Sequence, residues 1–237
     1  MRLTTFGHCT QITFFPRVFP VNCYLVKEND GLTLIDAALP SNANSIRQAA
    51  QSLGLPITRI LLTHGHADHV GALDRLHQRL PEAEVMISER DSRLLAGDTR
   101  TVDGEPQVKV RGGIKPCQTQ PTGHLKEGDR IGNLEVICSP GHTPGHVAFL
   151  DVRDRTLIAG DAFQIQGGIA VSGTIRPRFP FPAFATWHRD RAVESARRLR
   201  DLRPSQLAVG HGNVLSSPLD AMNRAIKQAE RNTRRMN

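Results

Sequence analysis

Residues 59–70 read RILLTHGHADHV. The first five form a short apolar run of the kind that makes a buried strand, with no room for a helix before the next glycine. Immediately after it, His64, His66, Asp68 and His69 place three imidazoles and one carboxylate within six residues. In an extended segment, side chains two apart point the same way, so His64 and His66 can grip one ion. Asp68 and His69 lie past the bend, where the following helical pattern starts, and can face a second ion.

The same arrangement recurs downstream. LEVICSP (134–140) runs into Gly141 and His142, TLIAG (156–160) into Asp161, and QLAVG (206–210) into His211. Each is a short apolar strand that ends on an imidazole or a carboxylate beside a glycine. Strand ends are where α/β scaffolds hold their sites, because the sheet fixes the backbone and the loop frees the side chain. Neutral histidine nitrogen suits Zn²⁺, Mn²⁺ and Fe. A carboxylate with two oxygens, as in Asp161, can bridge two cations.

The remaining elements extend this pattern. NCYLVKE and GLTLIDA read as a hairpin around Asn29, Asp30 and Gly31. SNANSIRQAAQSLG reads as a helix capped at Ser41 and stopped at Gly54, with Ile46, Ala49, Ala50 and Leu53 on one stripe. VGALDRLHQRLP predicts a helix through Val70, Leu73, Leu76 and Leu80, EVMIS a strand, and ERDSRLLAG a short helix. VAFLDV and TLIAG are strands joined by a turn at Arg153, Asp154 and Arg155. TWHRDRAVESARRLRDL and SPLDAMNRAIKQAERN are amphipathic helices, and residues 97–124 and 164–186 are irregular. Strands interleaved with helices imply sheets covered by helices on their outer faces. No Pro/Ser-rich linker divides the chain, so a single domain over residues 1–237 is expected.

Composition bounds the function. The chain has 237 residues, 39% hydrophobic and 22% charged, as an ordinary globular protein has. No window approaches 18 uncharged apolar residues, so no membrane-spanning helix is expected, and prolines interrupt the first apolar stretch where a signal peptide would run. Cys9, Cys23, Cys117 and Cys138 form no C-x-x-C pair and read as reduced thiols of a cytoplasmic protein. The net charge of +7 is confined to the last quarter, where residues 176–237 carry 13 basic and 5 acidic side chains. Arginines alternate with acids in RDRAVESARRLRD, a pattern of surface ion pairing rather than of nucleic-acid tracking.

THGHADH, PGHTPGH, GDAF and GHG, in that order, resemble the metallo-β-lactamase-fold hydrolase superfamily over about residues 20–215. The resemblance implies an α/β (α+β) fold, a four-layer αββα sandwich with a dinuclear metal centre at one edge of its sheets. It implies His64, His66 and His142 on a first metal, Asp68, His69 and His211 on a second, and Asp161 between them. Asp36 and His146 would support these ligands from behind. It further implies two divalent ions, Zn²⁺ first and Mn²⁺ or Fe as alternatives, sharing a hydroxide that attacks an ester, lactone or thioester, with Asp68 orienting it. Lactonase relatives carry a tyrosine three residues past the bridging aspartate; Gln164 stands there instead.

QGGIAVSGTIRPRFPFPAFATW (166–187) carries the substrate clue. Phe179, Phe181, Phe184 and Trp187 concentrate aromatic surface after Asp161, with Arg176, Arg178 and Gln164 as polar partners for a small, partly apolar substrate. Packing the loop onto the core is the alternative use of the same rings. Three other functions fit less of the pattern: a phosphodiesterase or nuclease of the same superfamily, a mononuclear iron persulfide dioxygenase, and a non-catalytic metal-binding protein. Monomer and homodimer are both compatible with the sequence. His8, His77, His124 and His188 match no motif and are expected to be structural.

Overall fold

The computed structural model describes residues 1–234; the last three positions of the expected domain, including Arg235 of the basic quarter, lie outside the described residues. The chain forms two compact units, one of Met1–Asp98 with Gly113–Leu125, the other of Thr99–Gly112 with the residues from Lys126 onward.

The first unit is built on a seven-stranded sheet in the order β1 (Arg2–Phe6), β2 (Cys9–Phe14), β3 (Val21–Glu28), β4 (Gly31–Ile35), β5 (Ile57–Leu61), β6 (Glu84–Ser88) and β7 (Gly123–Leu125). The strands β1 to β4 are antiparallel, and β4 to β7 are parallel. The hairpin between β3 and β4 closes with Glu28 opposite Gly31, as the Asn29-Asp30 turn predicts. Because β4, β5 and β6 run the same way, their carboxyl ends open at one edge. That edge receives Asp36, the 63–69 segment and the start of α4.

Helix α1 (Ala43–Ser52) begins one residue later than the Ser41 cap would have it, because Pro40–Asn42 forms a 3₁₀ turn first and Asn42 Oδ1 accepts from the Leu39 N–H at 3.1 Å. The helix expected over 70–81 is divided into α2 (Ala67–Val70) and α3 (Leu73–His77). The break has a backbone cause. The Gly71 N–H donates to Ala38 at 2.8 Å, and the His69 carbonyl accepts from Ala37 at 2.6 Å, so both groups leave the helical ladder for the chain just past β4. Val70, Leu73 and Leu76 still face the core with Ile46, Ala49 and Ala50. Helix α4 (Glu89–Leu95) starts at Ser88, whose hydroxyl accepts from the Asp91 N–H at 3.1 Å.

The second unit holds β8 (Arg130–Ile131), β9 (Leu134–Cys138), β10 (Val147–Asp151), β11 (Thr156–Ile158), a small pair β12 (Phe163–Gln164) and β13 (Ala170–Val171), then α5 (Phe181–Ala185), α6 (Arg189–Asp201), β14 (Gln206–Ala208), β15 (Leu215–Ser216) and α7 (Leu219–Arg234). Its main sheet has the order β15-β14-β11-β10-β9-β8. β11 is parallel to β14, and β10 is antiparallel to both β9 and β11. The loops after β9, β11 and β14 therefore leave at the same edge, carrying His142, Asp161 and His211. The Gly210 N–H donates to Gly160 and the Ile165 N–H to His211, both at 2.9 Å, tying two of these loops together. Val193, Ala196 and Leu199 of α6 and Met222, Ala225 and Ile226 of α7 complete this unit's core.

The basic helices carry the expected ion pairs: Arg197 with Glu230 at 2.7 Å, Arg198 with Glu127 at 2.6 Å and Arg200 with Asp201 at 2.6 Å. Such exposed pairs neutralise local charge and add little stability. All four cysteines are free thiols; burial and then Asp74 push Cys117 up to about 11, and burial raises Cys23 well above the ordinary thiol range. Neither of these two thiols stands ready as a thiolate. Among the described residues, no helix is long and apolar enough to cross a membrane.

Candidate functional site

In the first unit the 63–69 segment is held by two buried carboxylates. Asp36, just past β4, accepts from the Thr63 N–H, the Thr63 hydroxyl and His69 Nδ1, each at 2.8 Å. These bonds fix the proton positions on two histidines. His69 presents Nδ1–H to a carboxylate, so its lone pair is on Nε2. The single Thr63 proton goes to Asp36, so Thr63 Oγ1 accepts from His64 Nδ1 at 2.9 Å, and the His64 lone pair is also on Nε2. That nitrogen lies 3.1 Å from His66 Nδ1. His64, His66 and His69 are each no more than 2% exposed, whereas the Asp68 carboxylate is 27% exposed with an oxygen 4.0 Å from His69 Nε2.

The second carboxylate is Asp91, fully buried, which accepts from the Gly65 N–H at 3.0 Å. The helix carrying it comes so close that a Cβ on Gly65 would sit 2.7 Å from the Leu94 Cβ, which explains the glycine between the two histidines. Neither Thr63 nor Asp91 stands out in the sequence; only the adjacency of Thr63 to the histidine run marks it.

In the second unit, His142, Asp161 and His211 converge. Asp161 Oδ2 lies 3.4 Å from His142 Nε2 and 3.2 Å from His211 Nε2. His146 stands behind them: its Nε2 accepts from the Asp161 N–H at 3.1 Å, so its Nδ1–H donates to Ser139 Oγ at 2.8 Å. Both ring nitrogens are thus spent within the protein. Gly141 is required for a different reason from Gly65. Its φ is +144°, and a Cβ there would lie 2.3 Å from the Ala192 backbone nitrogen at the start of α6.

The aromatic segment divides in two. Phe179 and Trp187 are 1% and 6% exposed, with the Phe179 ring 5.3 Å from His211 and the Trp187 indole N–H donating to Val108 at 3.0 Å. Phe181 and Phe184 are 52% and 58% exposed. The Phe181 ring stands 5.4 Å from Phe179, so an aromatic step runs from His211 to the surface. The Gln164 amide is buried and donates to the carbonyls of Phe179 and Gln166. Arg176 donates to the carbonyls of Gly168 and Ile169, while Arg178 is exposed. His188 caps α6 by accepting from the Arg191 N–H.

The donor chemistry fits divalent cations. Each unit brings buried imidazole nitrogens close to one another or to a carboxylate oxygen, a set suited to Zn²⁺, Mn²⁺ or Fe.

Comparison with known proteins agrees. Residues 16–211 match the family described as the metallo-beta-lactamase superfamily. The protein YobT of Bacillus subtilis (strain 168), described as uncharacterized, is 57% identical over 232 residues, 98% of this chain and 100% of its own. The hydroxyacylglutathione hydrolase GloC of Haemophilus influenzae is 30% identical over 159 residues, 64% of this chain and 70% of its own. The crystal structure of TTHA1623 in a di-iron-bound form superposes with a TM-score of 0.67 at 29% identity, covering 89% of this chain and 96% of that one. With its fold and more than half its length matched in this way, the chain belongs to the metallo-beta-lactamase superfamily of metallo-hydrolases.

Proposed function

We propose that the chain is a dinuclear metal-dependent hydrolase that cleaves an ester, lactone or thioester bond in a small, partly apolar substrate. In this reading His64, His66 and His142 hold one divalent ion, Asp68, His69 and His211 hold the other, and Asp161 lies between them. In the same reading the chain is one functional domain. Zn²⁺ is the first candidate; the di-iron form of TTHA1623 supports two ions and keeps iron beside it. Bound there, divalent ions supply Lewis acidity and lower the pKa of water.

The observation that carries this reading is the proton bookkeeping around Asp36, which leaves the lone pairs of His64 and His69 on Nε2. A purely structural cluster has no need to commit two imidazoles to one tautomer. The partly exposed Asp68 is the carboxylate with access to solvent, and it takes the role of orienting the attacking water. The exposed rings of Phe181 and Phe184 provide an apolar wall for an acyl group. Arg176 is engaged by its own loop, which favours an uncharged group on that side of the substrate. The GloC relationship supports an acylated thiol as the first substrate class to try.

Elemental analysis of the purified chain, followed by a panel of thioesters, esters and lactones on the same sample, tests the proposal. Two divalent ions per chain and turnover are expected, with Asp161→Ala losing at least one ion and nearly all turnover. A chain that retains no divalent metal and is inert to the whole panel removes the reading.

A further inference from the structure

The ring of His142 is held by the aromatic segment. The Trp187 N–H donates to the His142 carbonyl at 2.9 Å, and the His188 N–H donates to Gly141 at 2.9 Å. Two hydroxyls then face His142 Nδ1, Ser172 Oγ at 3.2 Å and Thr186 Oγ1 at 3.3 Å. Each hydroxyl has one proton, and each proton is already committed. Thr186 donates to the Pro182 carbonyl at 2.7 Å, and Ser172 donates to the Asp161 carbonyl. Both oxygens can therefore only accept from the ring.

We propose that Ser172 and Thr186 are positioning residues that keep the His142 proton on Nδ1 and so turn its lone pair, on Nε2, toward the metal. The proposal rests on the reading of His142 as a ligand and extends it to two residues outside the motif that carries the ligand. Both are buried. Ser172 follows β13, and Thr186 ends α5, two residues past the exposed Phe184. The stretch that offers rings to the substrate is thus the stretch that sets the tautomer of the ligand, so an error in seating α5 reaches the metal through Thr186. Such outer partners tune metal affinity about 10- to 100-fold in comparable sites.

The first measurement needs no variant. ¹⁵N-histidine NMR of the metal-free full chain, at a pH where imidazole is neutral, is expected to show His142 protonated on Nδ1; protonation on Nε2 overturns the proposal. Zn²⁺ affinity by chelator competition is the second. Ser172→Ala combined with Thr186→Val is expected to weaken Zn²⁺ binding about 10- to 100-fold and to move the His142 proton to Nε2. Thr186→Ser, which keeps the hydroxyl, is expected to bind as the wild type does. An unchanged affinity in the folded double variant, while His142→Ala weakens binding, overturns the positioning role and leaves the ligand assignment standing. An unchanged affinity in His142→Ala overturns the ligand assignment and this proposal with it.

Discussion

Replacing Asp36 by Asn is expected to disorganise two of the proposed metal ligands at once. The carboxylate accepts three hydrogen bonds at 2.8 Å, from Thr63 N–H, Thr63 Oγ1 and His69 Nδ1. The amide keeps one acceptor oxygen, which the Thr63 N–H can retain, and turns an NH₂ toward the other two. Thr63 Oγ1 must then accept from the amide and send its own proton to His64 Nδ1, displacing the His64 proton to Nε2. His69 Nδ1 must also become an acceptor, which puts its proton on Nε2. Both nitrogens assigned to metal are then blocked. Trading two charge-assisted bonds for neutral ones costs about 2–3 kcal/mol of stability. Metal affinity is expected to fall toward the upper end of the about 10- to 100-fold range for outer-shell changes, because two ligands are affected. The backbone does not confuse the result: Asp36 has a φ of +61°, a conformation asparagine tolerates well, so Asn isolates the charge. Asp36→Ala adds the left-handed penalty of about 1–2 kcal/mol and should be the less stable variant. Urea unfolding and Zn²⁺ competition against a chelator read the two effects separately. An Asp36→Asn protein that binds Zn²⁺ like the wild type refutes the tautomer argument.

Gly141→Ala drives a Cβ into the Ala192 backbone and is expected to lose at least about 3 kcal/mol or fail to accumulate; near-native thermal stability would contradict it. Phe181→Ala and Phe184→Ala are expected to raise KM for acyl substrates while stability stays within about 0.5 kcal/mol, whereas Phe179→Ala, which empties a buried position, should cost about 3 kcal/mol or more in urea. Asp74 provides the pH test. Burial alone would raise its carboxyl, but the N–H groups of Thr119 and Gln118 and the Thr119 hydroxyl hold it below the ordinary value of 3.8. A lowered folded value stabilises above the unfolded one and is lost as pH falls through the folded one. Asp74→Asn should therefore be less stable than the wild type at pH 7, by about 1 kcal/mol, with the gap closing in acid below 3.8. A gap of the same size at pH 7 and in that acid range would show that the charge is not what matters.

The strand ends bearing the donors were legible because they combine two independent signals, an apolar run and an imidazole or carboxylate beside a glycine. The outer partners were not. Thr63, Asp91, Ser139, Ser172 and Thr186 are single polar residues whose roles depend on neighbours as distant as Thr186 from His142, and no spacing rule connects them. The break between α2 and α3 was hidden for the same reason, since it is caused by Ala37 and Ala38 rather than by anything within the helical pattern. At the amino end, β2 is buried throughout although half of it is Thr and Gln, so its polarity masks a core strand; Gln11 is satisfied there by the Tyr24 hydroxyl at 3.2 Å. The two-residue strands β8, β12, β13 and β15 are too short to have any periodicity.

The chain contains one tyrosine and one tryptophan. Tyr24, 1% exposed, is in the first unit; Trp187, anchored by its indole to Val108, is in the second. Each half of the polypeptide therefore contains its own intrinsic fluorophore. During denaturation, emission from the phenol follows one half and emission from the indole follows the other. Coincident curves would mark a single cooperative transition, and separated curves would mark two. No label or engineered reporter is needed to learn whether the halves melt as one.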